Sequence, residues 1–132
     1  MAKRYLLDTS IWRDFYEDRI SKSGRPLGKF ANDLFMKILK NKDKIIYSET
    51  LIWEMKKDYS EEDVKDMLNI LQMSKVLINV EIQKAEFLEA KKLADGRDIP
   101  LVDCINAIHA RDYKAIMVSQ DSHFLKDLKD IV

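Results

Sequence analysis

A single cysteine, Cys104, rules out an internal disulfide, so whatever stabilises this chain is non-covalent, as suits a reducing compartment. Glycine and proline are equally scarce, 3 and 2 in 132 residues, which leaves little material for long linkers. No apolar run approaches the length of a membrane span, and Met-Ala-Lys-Arg followed at once by a buried-strand pattern is not the pattern of a signal peptide. Net charge is absent too: 23 Lys and Arg balance 23 Asp and Glu, so overall composition carries no nucleic-acid signal. What remains is a chain 46% hydrophobic and 35% charged, expected to be one cytoplasmic domain over residues 1–132 with no membrane partner.

The charge is unevenly placed. Residues 1–44 hold 11 Lys and Arg against 6 Asp and Glu, while residues 45–132 hold 12 against 17. A basic segment facing an acidic remainder suits a molecule that must hold both a polyanion and a metal, although surface charge also divides this way by accident.

The chain is organised around Arg4 to Trp12, where the apolar run Tyr5-Leu6-Leu7 ends in Asp8 followed by Thr9 and Ser10. Such a run fits a strand buried on both faces, and the hydroxyl residues suit the entry to a helix. Asp8, Thr9 or Ser10 could simply cap that helix. In open parallel sheets, however, ligands bind outside the carboxyl ends of the strands, which would point Asp8 into a functional crevice.

Further along, Ile11 to Arg19 reads as a short helix, residues 21–26 as a loop, and Leu27 to Lys40 as a helix with one apolar face. Lys44 to Tyr47 is a second strand, and Ser48 caps a helix running to about Lys57. Ser60 opens another helix, with an acid three residues on at Asp63. Val76 to Val80 is a third strand, Glu81 to Ala94 a helix stopped at Asp95-Gly96, and Leu101 to Tyr113 a helix entered from Pro100. Ala115 to Val118 is a fourth strand, and Asp121 to Leu128 a final helix. Strands alternating with helices, without hairpin signals, imply an α/β fold: a three-layer α/β/α sandwich around a parallel sheet of four or five short strands.

Four acids stand at strand ends or in the first turns of the helices that follow them. Glu54 lies in Leu-Ile-Trp-Glu-Met, among apolar neighbours. Asp103 interrupts the almost wholly apolar stretch 101–108, where a buried carboxylate needs partners or a metal, or else serves as a helix N-terminal acid favoured by the dipole. Asp121 follows Ser119-Gln120 after the fourth strand, repeating the arrangement at Asp8. Gathered at one rim, these carboxylates would repel one another unless a cation joined them, and oxygen ligands suit Mg²⁺ or Mn²⁺. His109, alone on an apolar helix, is better read as structural than catalytic.

Leu-Leu-Asp8-Thr-Ser, Ile46-Tyr-Ser48 with Leu-Ile-Trp-Glu54, Asp103 with Ala107 and Ala110, and Ser119-Gln-Asp121 ahead of Phe124 together resemble the PIN domain ribonucleases, especially the small toxins of VapBC toxin-antitoxin pairs. The resemblance spans nearly the whole chain. It implies an endoribonuclease in which Asp8, Glu54, Asp103 and Asp121 hold Mg²⁺ or Mn²⁺ and a metal-activated water hydrolyses RNA, supported by Ser10 and Ser119. A cognate antitoxin and a homodimer are the partners it implies. Trp12, Phe15 and Tyr16 could form the dimer contact or be filled by the chain's own core. His123 departs from the family, many of whose members carry a further acid there. Arg13, Arg19, Lys22 and Arg25, around the loop at 21–26, are candidate RNA-binding residues. The alternatives are a non-cleaving RNA-binding or partner-binding module of this fold, and an RNA-processing nuclease without antitoxin. A haloacid-dehalogenase-like phosphatase would need a second Asp where Ser10 stands.

Overall fold

Three residues, Tyr5, Leu6 and Leu7, carry the centre of the sheet because each face of it is covered and both must be apolar. The computed structural model describes residues 2–18, 20, 23–120, 124 and 126–132. Strand β1 (Arg4–Leu7) lies between β2 (Lys44–Tyr47) and β4 (Ile116–Val118), with β3 (Leu77–Asn79) outside β2. All three pairings are parallel; Tyr5 lies opposite Ile45 on one side and Ile116 on the other. Among the described residues four strands make the sheet, the smaller of the two expected numbers.

Alternation of side chains along β1 divides the core. Tyr5 and Leu7 join Ile45 against helices α1 (Thr9–Glu17), α2 (Leu27–Lys40), α3 (Glu49–Met55) and α4 (Glu61–Met73). Leu6 and Ile46 face the other way, toward Ala110 of helix α6 (Leu101–Asp112), which packs against α5 (Lys84–Arg97). The result is the expected three-layer sandwich. Trp12 is buried and tilted against Phe35, and Phe15 meets the same ring edge-on, so the aromatic cluster of α1 is filled largely by the chain's own core. Tyr16 alone of the three is exposed, edge-on to Tyr59.

Three helix-to-strand joints share one construction. After α2, α4 and α6, the second residue past the helix is a left-handed lysine: Lys42, Lys75 and Lys114, with φ of 56°, 60° and 53°. At two of them the next amide donates back across the turn, Asp43 to the Ile38 carbonyl at 3.0 Å and Ala115 to the Ala110 carbonyl at 2.8 Å. Glycine is the usual residue in such a cap. A lysine accepts the backbone cost while placing a cation at the negative end of the helix dipole.

Several boundaries differ from the sequence reading. Helix α1 starts at Thr9 and closes on Asp18 in the left-handed region. Helix α5 starts at Lys84, where Glu86 accepts the Gln83 amide at 2.9 Å, and it runs through Asp95 and Gly96 to Arg97, because Asp98 supplies the left-handed cap instead. Of the expected helix 121–128, residues 121–123 and 125 lie outside the described residues. Phe124 is a short 3-10 turn and Lys126 to Ile131 are turns, held by Arg97, which donates to the Asp127 carbonyl at 2.7 Å and pairs with Asp130. Among the described residues no helix is long and apolar enough to cross a membrane.

The two helical glycines make opposite predictions. A Cβ on Gly28 would lie 2.5 Å from Asp18 Cα, where the end of α1 presses on the start of α2, whereas a Cβ on Gly96 would meet nothing. Gly28→Ala should cost about 1–3 kcal/mol by overpacking, and Gly96→Ala should gain about 0.5–1 kcal/mol by restricting the unfolded chain. Urea unfolding of both variants checks this; equal midpoints would show that the α1–α2 approach is not tight.

Candidate metal centre

Asp8 is the first residue past β1, and its extended backbone (φ −63°, ψ 158°) lets its amide donate to the Val118 carbonyl at 2.9 Å, lengthening the β1–β4 ladder by one bond. Asp8 precedes α1, yet its side chain makes no capping hydrogen bond to that helix. Instead, Oδ2 accepts the Ser119 hydroxyl at 2.9 Å and the Ser10 hydroxyl at 3.1 Å. The Gln120 amide in turn donates to Ser10 Oγ at 3.3 Å. Two hydroxyl donors from two elements fix the orientation of a carboxylate that is 7% exposed.

Glu54 comes to the same place from α3 and Asp103 from the first turn of α6. Asp8, Glu54 and Asp103 line one cleft of about 290 Å³, together with Thr9, Ser10, Arg13 and Pro100. Asp103 is nearly buried, while Glu54 is 24% exposed in its side chain and approached by Lys57 Nζ at 3.3 Å. Asp103 also sits where the dipole of α6 favours an acid.

Arg13 belongs to the cleft but is turned toward protein. Its Nη2 donates to the Glu54 carbonyl at 3.0 Å and pairs with Asp58 at 2.7 Å, tying α1 to the end of α3. Arg25 is exposed, and Arg19 and Lys22 lie outside the described residues. So does Asp121, the fourth expected acid, and so does His123.

The other nucleophile and base candidates sit elsewhere. Burial, and then the neighbouring Asp103 carboxylate, push the Cys104 thiol above its ordinary range, which disfavours a thiolate. His109 is wholly buried between helices, its Nε2 lying 3.2 Å from Glu86 Oε1, in keeping with a structural role.

Two residues of this neighbourhood were visible in the sequence without being singled out. The Thr50 hydroxyl donates to Asn106 Oδ1 at 2.8 Å, joining α3 to α6, the helices that carry Glu54 and Asp103. The signal was an amide one turn after Asp103 in an otherwise apolar stretch.

The donor set fits a hard cation: carboxylates, one of them oriented by hydroxyls, at the mouth of a buried sheet. Among the described residues no three acids close into a ready cage.

The PIN domain family profile matches residues 5–129. The chain belongs to the PIN domain family. Among solved structures, this PIN domain is similar to a chain of VapBC2 from Rickettsia felis, crystallised bound to a DNA fragment from the promoter, with 19% identity, a TM-score of 0.63, and coverage of 97% of this chain and 92% of that one. At that identity the likeness is one of fold. No curated protein sequence matches the chain.

If the PIN domain cleft holds a cation, its acids repel one another without it. Metal-free Asp8→Asn should then melt a few degrees above metal-free wild type, and saturating Mn²⁺ should raise the wild-type Tm by several degrees, about 2.7 kcal/mol at a hundredfold excess over Kd. A Tm indifferent to both changes would mean that the cleft is not a cation site.

Proposed function

We propose that this PIN domain is a Mg²⁺- or Mn²⁺-dependent endoribonuclease acting in the cytoplasm as the VapC-like toxin of a VapBC-type pair. The observation that carries the reading is the meeting of Asp8, Glu54 and Asp103 in one cleft at the carboxyl end of the sheet, with Ser10 and Ser119 orienting Asp8. Asp121 follows Ser119-Gln120 in the chain and is the fourth acid of the proposed set. Asp8, Glu54, Asp103 and Asp121 would together hold the ion. When bound, a divalent ion supplies the acidification of a water and the charge neutralisation at phosphate that hydrolysis needs.

The residues of the chain do the rest. Ser119 and Ser10 keep Asp8 aimed, and the packing around Asp103 keeps its carboxylate from swinging into solvent. Asp58 neutralises Arg13, so the cations that guide RNA into an acidic cleft must come from elsewhere; Arg19, Lys22 and Arg25, just past α1, are our candidates. A binding-only role would have no use for acids that repel phosphate.

An antitoxin is the partner this reading requires, and a homodimer the assembly in which we expect the toxin. The R. felis neighbour is a VapBC2 complex. Here α1, α2 and α4 leave an apolar groove of about 270 Å³ between them, lined by Phe15, Phe35, Met36, Leu39, Met67 and Leu71. Met36 is 56% exposed, an arrangement that an amphipathic segment of the antitoxin would cover.

Purified protein should cut RNA with Mg²⁺ or Mn²⁺ and stop in EDTA, and Asp8→Asn or Asp103→Asn should lower cleavage by about a hundredfold or more with the fold intact. Equal cleavage in EDTA, or full activity in both variants, would sink the metal mechanism.

The guiding role of the loop is tested separately. Neutralising Arg19, Lys22 and Arg25 together should weaken RNA binding and flatten its salt dependence by roughly 0.7 log units for each phosphate that the protein no longer neutralises. Turnover at saturating RNA should change little. Unchanged binding, with weakening instead on neutralising Lys40, Lys42 and Lys44, would put the RNA path at the other end of the sheet.

A further inference from the structure

Between the two helices that bring Glu54 and Asp103 to the cleft runs a chain of hydrogen bonds. The Thr50 amide donates to Ser48 Oγ at 3.3 Å, capping α3; the Ser48 and Thr50 hydroxyls are 2.9 Å apart; and the Thr50 hydroxyl donates to Asn106 Oδ1 at 2.8 Å. A hydroxyl has one proton. Because that of Thr50 is given to Asn106, Ser48 must donate to Thr50, and the three bonds run in one direction, each strengthening the next. All three side chains are buried: Ser48 is 3%, Thr50 1% and Asn106 6% exposed.

Stability alone does not call for this arrangement. Burying a hydroxyl against an amide yields a net gain of only about 0.5–1.5 kcal/mol, and an apolar pair of similar shape can be as stable or more so. The neighbours of Asn106 on α6, Cys104, Ile105, Ala107 and Ile108, are all apolar and buried. What distinguishes the pair is its place. Thr50 stands four residues before Glu54 on α3, and Asn106 three residues after Asp103 on α6, spacings that put each on the same helical face as its acid. Apolar packing lets helices slide by fractions of an ångström; a directional bond between fixed atoms does not.

We infer that Thr50 and Asn106 are positioning residues, whose hydrogen bond sets the separation of Glu54 and Asp103 across the cleft and so tunes its affinity for a divalent cation. The inference rests on the metal-centre reading proposed above. Neither side chain is placed among the groups lining the cleft, so both act through the acids. Asn106→Ala is the cleaner probe, because the Thr50 hydroxyl keeps its bond to Ser48 and the cap of α3 survives, leaving only the link between helices broken.

The test is titration calorimetry of the full chain with Mn²⁺ alone, beside thermal melts. Asn106→Ala and Thr50→Val should each raise the Mn²⁺ Kd about tenfold to a hundredfold, and the double variant should add little to either. Thr50→Ser, which retains the hydroxyl, should stay within about twofold of wild type. In Mn²⁺-dependent RNA cleavage the same variants should need correspondingly more Mn²⁺ for half-maximal rate. If the wild type binds Mn²⁺ and the folded variants bind it equally well at a lower Tm, the bond serves stability and the inference is overturned, while the metal-centre reading stands. Failure of both Asn106→Ala and Thr50→Val to fold would assign the bond to stability and overturn it equally. A wild type that binds no Mn²⁺ overturns the metal-centre reading itself, and this inference with it.

Discussion

The constraint on which the rest depends is the end of β1. A central strand buried on both faces cannot carry a charge within its run, so the first place an acid can stand is the residue after Leu7, where the sheet opens to solvent. Asp8 takes that place without leaving the ladder, since its amide still bonds to the Val118 carbonyl. From that anchoring the position of Ser119 follows. It is the first residue past β4, opposite Asp8 across the pair, and its hydroxyl reaches the carboxylate at 2.9 Å. Ser10 reaches the same oxygen from the first turn of α1. The orientation of the acid is thus a consequence of strand register, and a slip of one residue between β1 and β4 would remove Ser119 from it.

Features set by periodicity were legible in the sequence. Tyr5 to Leu7 and Lys44 to Tyr47 are too short and too apolar for amphipathic helices, and the 14 residues of α2 repeat their apolar positions at helical spacing. Asp8, Glu54 and Asp103 were legible as acids out of place among apolar neighbours, and the cleft brings all three together. Ends were less so. Asp95-Gly96 looks like a stop, but glycine is only weakly unfavourable inside a helix, and Asp98 adopts the left-handed cap two residues later. The lysine caps at 42, 75 and 114 were invisible for the converse reason: the usual residue at such a joint is glycine, and here it is not.

Long-range partners were the least legible. Nothing in Arg13 announces that its guanidinium ends on Asp58 and the Glu54 carbonyl, 41 residues away in the chain. A cation near an acidic cleft reads as a phosphate contact until the structure supplies a carboxylate for it. The same holds for the basic surplus of residues 1–44 as a whole. Lys40 lies in the last turn of α2, Lys42 in its cap, and Lys44 donates to the Lys75 carbonyl at 2.9 Å. Three of those cations are thereby accounted for by helix dipoles and strand entry at the amino ends of the strands, away from the cleft.

Helix α3 shows why such partners matter more than propensity. Seven residues make two turns, too few to be stable alone. Its start is capped by Ser48 and tied to α6 through Thr50 and Asn106, and its end is tied to α1 through Arg13. The helix that carries Glu54 is therefore held at both ends by polar bonds to the two helices that flank the cleft, while Leu51 and Met55 bury its apolar side. Removing either tie leaves the apolar contacts in place but frees the helix to pivot about them. Glu54 stands one turn past Thr50 on that helix, so a pivot about either tie displaces its carboxylate relative to Asp103. The polar ties thus govern the geometry of the acids, and the apolar core governs whether the helix is there at all.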